Sequence, residues 1–537
     1  MNYPIGIQDF ASIINDGFVY VDKTDMVYEL TKDKGVYFLS RPRRFGKSLL
    51  VSTIKYYFEG RHDLFKGLKI ESLEKKWETY PVFEIDFNGS NYTETDALEQ
   101  TLNGYLIKWE QQYGVKPATD QPGRRLADVL HQAHVQTGKT CVVLVDEYDK
   151  PMLDAMDTGL KTRVGDNEVL IEDYNRETLK AFYSVFKLAD ADLRFVFLTG
   201  VTKFAQVSVF SGFNNARDIS MNPRFDTICG ISREELDNVF ASSIVELASK
   251  NMLSVEEAKF QLQQRYDGYH FSNGMTDIYN PFSLLNAFAD DNIRDYWFAS
   301  GTPSYLIRLL AHSNENIQDI IARSYEAQEF VDYRATVEAP VPMIYQSGYL
   351  TIKGYNREDE EYKLDFPNHE VASGFLAILA SGYFHTPTEP NSWANKLKKA
   401  LHHGKPEDFR NLLDDFLASI PYSVRESNGE KSHERQLQYT VYLIMRLIGS
   451  CRNTVYHEKT TSKGRADCVI ETPHYVYVFE YKLDRPAAEA MAQIGDRGYA
   501  DPYAHDGRPV YAIACSFSSE TGTISDWMVK QIHNTHE

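Results

Sequence analysis

Basic residues are in deficit in this chain of 537 residues: 57 lysines and arginines face 76 aspartates and glutamates, a formal charge of −19. So acidic a chain repels nucleic acid at long range, and contact with it must come from local patches. Cysteine is scarce as well. Cys141, Cys229, Cys451, Cys468 and Cys515 are odd in number and lack C-x-x-C spacing, so neither a disulfide framework nor a zinc site is indicated. Cys141 and Cys468 read as core-strand residues. No apolar run approaches the ~18 residues that span a bilayer, and the N-terminus lacks the basic-then-apolar pattern of a secretory signal. The expectation is a cytoplasmic protein with no membrane partner. No fixed-period repeat or low-complexity tract occurs, which argues against a solenoid, and the length suggests three or four domains.

Glycine is missing where one familiar pattern wants it. Between apolar residues 36–39 and an apolar helical start at 49–54 lies Ser40-Arg-Pro-Arg-Arg-Phe-Gly-Lys-Ser48. Its end matches G-x-x-x-x-G-K-[ST], in which backbone N–H groups and a helix N-terminus face phosphates. Arg43, Arg44, Phe45 and Gly46 would form the cradle. Lys47 would reach the β- and γ-phosphates and Ser48 would place its hydroxyl on Mg²⁺. The first glycine of the pattern is Arg41 here, so the entry turn must avoid positive φ. The blander reading is a basic turn capping a surface helix.

About a hundred residues on, Cys141-Val-Val-Leu-Val-Asp-Glu-Tyr-Asp149 reads as a buried central strand ending in carboxylates, where open α/β sheets bind ligands. Asp146 would hold Mg²⁺ through water and Glu147 would polarise the water attacking a γ-phosphate. A third strand, 194–200, ends in Thr199, followed by Thr202 and Lys203, a placement suited either to sensing the γ-phosphate or to plain turn chemistry. Residues 82–87 supply a further strand. The cluster Arg41, Arg43 and Arg44 is best assigned to a triphosphate or to a neighbouring subunit's nucleotide.

Tyr20-Val-Asp-Lys-Thr24, Arg41-Pro-Arg-Arg-Phe-Gly-Lys-Ser48 and Val145-Asp-Glu-Tyr-Asp149 resemble the bacterial AAA-ATPase-like family, which typically carries a C-terminal PD-(D/E)XK nuclease-like domain. Gln264-Arg-Tyr-Asp-Gly-Tyr269, Ile278-Tyr-Asn-Pro-Phe282 and Gln346-Ser-Gly-Tyr-Leu-Thr351 extend the resemblance over nearly the whole chain. The family's loop also has arginine at the position of Arg41. The resemblance implies ATP and Mg²⁺ as cofactors, DNA as partner, and a possible homo-oligomer.

Near the C-terminus, Gly464-Arg-Ala-Asp467 opens one strand and Val476-Tyr-Val-Phe-Glu-Tyr-Lys482 forms the next. A four-residue loop, 472–475, would place Asp467 across from Glu480 on one hairpin face, with Lys482 beside it by the period of two. Two carboxylates can hold Mg²⁺ while the ammonium orients or activates water, which is phosphodiester hydrolysis chemistry. The bland reading is a half-exposed hairpin with ordinary surface charges. Glu434, in the helical stretch 433–448, is a candidate further metal ligand. Gln493 is a candidate site-closing residue, although its spacing to Tyr499 departs from Q-x-x-x-Y. Arg452, Lys459, Lys463 and Arg465, with Arg435, form the only basic patch there.

The expected architecture is therefore α/β: a P-loop ATPase core, a parallel sheet with flanking helices, at 1–231, and a helical lid at 232–325 opened by a Ser232/Glu235 capping box. A winged-helix-like and linker region follows at 326–429, with strands at 344–352 and 362–366 around an acidic tip at 358–361. Residues 391–410 read as polar and helix-favouring and 426–430 as a loop. A restriction-endonuclease-like α/β domain fills 430–537. The leading expectation is ATP-regulated DNA cleavage. The alternatives are a nucleotide-dependent switch whose last domain binds nucleic acid or protein without cutting, and a remodelling ATPase acting as a ring.

Overall fold

A computed structural model of the chain describes residues 1–203, 216–297, 317–331, 340–384, 390–420, 429–449 and 453–533. These divide into two compact units, Met1–Glu315 with Asp319–Asn368, and Asn316–Gln318 with His369–Glu537. The region expected as winged helix and linker is divided between them. Among the described residues no helix is long and apolar enough to cross a membrane.

The first unit is built on five parallel strands: β1 Gly35–Ser40, β2 Val82–Asp86, β3 Cys141–Asp146, β4 Leu193–Gly200 and β5 Arg217–Asp218. Their order is β2-β3-β4-β1-β5. Every residue of β3 is buried, as its unbroken apolar run requires of a parallel strand covered on both faces. β1 is flanked by β4 on one side and β5 on the other, so the strand order reverses there, and a crevice opens at the carboxyl ends of the strands. Helix α1, Lys47–Phe58, leaves that edge directly after Gly46, whose φ of 92° turns the chain from loop into helix.

The strand ends are fastened to one another by Asp149, which is completely buried. Its carboxylate accepts hydrogen bonds from the Val201 N–H (3.0 Å), the Thr202 N–H (2.6 Å) and the Thr202 hydroxyl (2.7 Å). The turn after β3 is thereby locked to the turn after β4.

Helices α2 Arg233–Val239, α3 Ala241–Lys250, α4 Val255–Tyr266 and α5 Pro281–Ala289 form the helical part of this unit around Phe240, Ile244, Leu247, Leu262 and Leu284. The Ser232/Glu235 capping box is present, and Ser254/Glu257 makes a second one. The phrase 20–24 owes its place to this region: Lys23 Nζ lies 2.5 Å from Glu235 in a largely buried ion pair, and Asp22 accepts from the N–H and hydroxyl of Thr24, the first residue of the following helix.

The strand expected at 344–352 is in part a helix, Val341–Gln346, followed by β6 Thr351–Asn356 and β7 Glu361–Asp365. Pro342 in the first turn favours the helix and Gly348, at φ 86°, ends it, overriding the apolar alternation. Ser324–Tyr325 adds a third antiparallel strand beside β7.

In the second unit the polar stretch near 391–410 forms the helices Pro390–His402 and Pro406–Ala418. Of the loop expected at 426–430, Gly429 and Glu430 already belong to helix α6, Gly429–Ile448, and 426–428 lie outside the described residues. A five-stranded sheet follows: β8 Thr454–Thr461, β9 Gly464–Glu471, β10 Val476–Leu483, β11 Val510–Phe517 and β12 Ile524–His533, neighbours in that order. All pairs are antiparallel except β10 with β11, which helix α7, Ala487–Asp496, connects. Cys141, Cys468 and Cys515 are buried strand residues without disulfides.

The Asp149 lock makes Gly200 irreplaceable: a Cβ there would lie 2.3 Å from Asp149 Oδ1 and 2.8 Å from the Tyr148 ring. Gly200→Ala is expected to cost about 1–3 kcal/mol, read as a lowered melting temperature. Gly104→Ala, on an exposed helix with nothing within 4 Å, should be neutral or slightly stabilising. Equal melting of both variants would contradict the lock.

Candidate functional site

A cavity of about 380 Å³ opens at the carboxyl edge of the parallel sheet, lined by residues 4–8, Arg43, Arg44, Lys47, Ser48, Asn88, Glu147, Lys150, and Phe282 and its neighbours on α5. Lys47 lies at its floor, nearly inaccessible. Its Nζ donates to the carbonyls of Arg41 (3.2 Å) and Pro42 (3.4 Å) and stands 3.6 Å from Glu147 Oε1. Glu147 takes a left-handed φ of 49°, a turn that brings its carboxylate into the cavity. Asp146 sits beneath, its Oδ1 accepting from the Glu147 N–H (3.0 Å), and burial together with the Glu147 charge pushes its carboxyl up to about 7 against the opposing influence of nearby Ser48. Asp149 is raised to about 6 by the same two causes. A hydroxyl near a carboxylate, beside a second carboxylate, is an oxygen donor set that suits Mg²⁺.

Three expectations for this site are corrected by the geometry. Thr199 is fully buried and its hydroxyl donates to the Leu39 carbonyl (2.8 Å), fastening β4 to β1. Lys203 is paired with Asp218 (2.9 Å) and Thr202 is held by Asp149, so the γ-phosphate sensor read into 199–203 is replaced by strand-end packing. Phe45 is buried in an aromatic cluster with Tyr269 and Phe271, 4.8 and 5.5 Å between centroids, where it shapes the loop without lining the cavity. Arg41 is likewise inside the protein. Its guanidinium donates to the carbonyls of Ser40, Ser220 and Phe225 and lies 4.0 Å over the Phe271 ring, out of reach of a nucleotide here or in a neighbour.

In the second unit Thr472–Tyr475 makes the expected four-residue connection, and the pairing of Cys468 with Phe479 puts Asp467 next in register opposite Glu480. Asp467 Oδ2 accepts from the Tyr481 N–H (2.8 Å). Lys482 Nζ donates to Glu480 Oε1 (3.1 Å) and to Gln493 Oε1 (2.8 Å), and Gln493 Nε2 donates to the Tyr499 hydroxyl (3.2 Å). Gln493 thus reaches the site despite its spacing. The other carboxylate oxygen of Glu480 is buried without a hydrogen-bond partner, and burial with the Asp467 charge pushes this carboxyl up to about 7. A cation would supply the missing partner.

Two neighbours escaped sequence reasoning. Glu458, at φ 50°, breaks the β8 ladder between the pairs His457–Cys468 and Lys459–Ala466, so it faces Asp467, whose carboxyl is raised mainly by burial and further by the Glu458 charge. Its signal was the register of a strand that the sequence did not reveal. His457 is held neutral, pushed down to about 3 by burial and Arg446. Both line a cavity of about 250 Å³ with Asp467, Glu480 and Lys482. The side chain of Glu434, like Arg435 and Arg452, lies outside the described residues.

Residues 4–210 match the family described as "Predicted AAA-ATPase", and residues 432–527 match the PD-(D/E)XK nuclease superfamily. An uncharacterized protein from the vnfD 5′ region of Azotobacter chroococcum is 33% identical over 98% of this chain and 99% of its own length. This chain belongs to the AAA-ATPase-like family with a C-terminal PD-(D/E)XK superfamily domain. A signal transduction ATPase with numerous domains and a tetratricopeptide repeat sensor, from Pyrococcus horikoshii, aligns at 12% identity over 79% of this chain, with a TM-score of 0.25. The chain spans about half, 54%, of that protein, and the likeness carries no argument.

Charge is divided unevenly in this AAA-ATPase-like chain. The second unit holds 18 basic and 21 acidic residues, leaving −16 of the −19 on the first. Three of its cations near Asp467 are already engaged: Lys459 with Glu471 (3.0 Å), Lys463 with Asp501 (3.6 Å) and Arg465 with Glu458 (3.2 Å). The three described members of the expected basic patch are therefore ion-paired.

Glu480 gives a pH signature. Its folded pKa exceeds the unfolded value, so the favourable contribution of its protonated form is complete below about 4.5 and is lost as pH rises through about 7. Glu480→Gln removes the buried charge without changing shape. Relative to wild type it is expected to raise the metal-free melting temperature at pH 8 and to change it little at pH 5. A difference independent of pH would contradict this.

Proposed function

We propose that this protein binds ATP with Mg²⁺ in the cavity at the edge of the parallel sheet and hydrolyses it. We further propose that the nucleotide state controls Mg²⁺-dependent DNA cleavage by the C-terminal domain. In this reading the ATPase part is 1–231, the lid 232–325, the winged-helix-like and linker region 326–429 and the nuclease-like domain 430–537. The observation that carries it is the meeting of Lys47, Ser48, Asp146 and Glu147 at one strand edge, below loop residues Arg43 and Arg44. Lys47 would leave the loop carbonyls for the β- and γ-phosphates. Ser48 and Asp146 would hold Mg²⁺, which neutralises charge on the phosphates when bound, and Glu147 would accept the proton of the attacking water.

In the C-terminal domain Asp467 and Glu480 would hold Mg²⁺, which polarises a scissile phosphate when bound. Lys482, steered by Gln493, would orient the attacking water. DNA is the partner this chemistry fits, and subunit association through ATP is the assembly to test.

One observation favours a second reading, a nucleotide-dependent switch or remodeller whose last domain binds without cutting. Among the described residues no three His, Cys, Asp or Glu side chains gather closely enough to hold a metal.

The deciding measurement is cleavage of single- and double-stranded DNA by the purified protein in Mg²⁺ or Mn²⁺, with and without ATP, beside ATP turnover. Lys482→Ala is expected to abolish cleavage and spare ATP turnover. Lys47→Ala should lower turnover at least about a hundredfold and alter cleavage. Turnover with no cleavage by wild type selects the second reading, and a mass unchanged by ATP excludes a nucleotide-driven ring.

A further inference from the structure

The loop at 41–45 is braced on every side by residues far away in sequence. Arg41 stacks on Phe271, and Pro42 packs against Gly348, where a Cβ would approach within 2.6 Å. The Arg43 carbonyl accepts from Trp297 Nε1 (3.4 Å), while Phe45 packs on Tyr269 and its carbonyl accepts from the Gly230 N–H (3.2 Å). These contacts are internal and apolar or backbone-bound. Arg44 differs. It is exposed at the cavity mouth, and its guanidinium stands 5.0 Å over the ring of Phe282, the second residue of α5, which lines the same cavity.

Three facts single it out. Arg44 adopts a left-handed φ of 69°, uncommon for a residue with a Cβ, and that turn carries its side chain to the mouth. In a chain with 76 acidic residues, no carboxylate among the described residues pairs with it. Among the described residues its one partner is a ring, and an exposed cation–π contact is weaker than a hydrogen bond between charged groups. A phosphate arriving within reach displaces the ring.

We propose that Arg44 distinguishes a nucleoside triphosphate from a diphosphate by exchanging the Phe282 ring for the terminal phosphate, which frees the first turn of α5. The inference rests on reading the cavity as a nucleotide site and names the residue that senses the extra phosphate. The guanidinium forms two parallel N–H···O bonds to the terminal phosphate; without that phosphate it stays on Phe282. The phrase Ile278-Tyr-Asn-Pro-Phe282 holds the ring in place for this exchange, because Asn280 caps α5 by accepting from the Phe282 N–H (3.0 Å) and so fixes the ring at the mouth.

The test titrates full-length protein with fluorescent ATP and ADP analogues in Mg²⁺, for wild type, Arg44→Ala and Phe282→Leu, after confirming unchanged melting temperatures. Arg44→Ala should weaken ATP binding about tenfold or more and leave ADP within about twofold. Phe282→Leu, lacking the competing ring, should tighten ATP a few-fold and leave ADP unchanged. Equal losses for both nucleotides in Arg44→Ala, or no loss for either, overturn the sensing role while leaving the nucleotide site standing. Failure of wild type to bind either nucleotide overturns the site and the sensor together.

Discussion

The first unit depends on a loop that cannot support itself. A loop wrapped around phosphates ordinarily relies on glycine, whose missing side chain lets backbone N–H groups converge. Between Ser40 and Lys47 there is one glycine, Gly46, and four of the other five residues carry large side chains. Such a loop holds its shape only if its side chains have somewhere to go, and the structure supplies the sockets: Phe271 for Arg41, Gly348 for Pro42, Phe282 for Arg44, Tyr269 and Phe271 for Phe45. The parallel sheet and the helices after residue 230 are consequently one folding problem. The bulk that excludes a self-contained loop also wires it to the region around it.

The same logic of deferred partnership governs the carboxylates. Asp146 and Glu480 lie on different sheets in different units, yet both are buried strand residues beside a second acid and both are pushed up to about 7. Burial penalises the charged form and the neighbour's charge adds to the penalty, so each pair is costly until a cation arrives. Asp149 differs in that three donors from residues 201 and 202 converge on its Oδ2 and make it a fastener, although its Oδ1, like the second oxygen of Glu480, is buried without a hydrogen-bond partner.

What could be read from the residues follows from how local the signal is. The runs 36–39 and 141–145 are continuous and apolar, and a buried parallel strand makes use of such a pattern; the turn at 472–475 fixes by itself which residues of β9 and β10 face each other. Thr199 and Phe45 were misplaced because their roles depend on what lies against them, Leu39 in one case and Tyr269 in the other, and neither distance is encoded nearby. Glu458 stayed hidden for a related reason. Strand β8 alternates exposed and half-buried residues with little apolar content, so nothing fixed its register until β9 was beside it. The helix at Val341–Gln346 shows the limit of periodicity itself, since one proline and one glycine decided the backbone against an apolar alternation.

Charge distribution, finally, limits where a polyanion can approach. With −16 on the first unit and −3 on the second, the long-range field repels nucleic acid from the ATPase-like part, while the near-neutral C-terminal part neither attracts nor excludes it. Screening confines that field to about 8 Å at physiological salt, so short-range chemistry decides. On the proposed reading a triphosphate would overcome the acidic surroundings, because Arg43, Arg44 and Lys47 line one small cavity and Mg²⁺ would arrive with it. A nucleic acid has no such concentrated cation set among the described residues of the second unit, where Lys459, Lys463 and Arg465 are already paired with acids. On the proposed reading its binding would break those pairs or be carried by a metal that Asp467 and Glu480 would hold. Either route makes affinity fall with salt only weakly for a protein of this class, since few counterions are released when the protein's own cations are already neutralised.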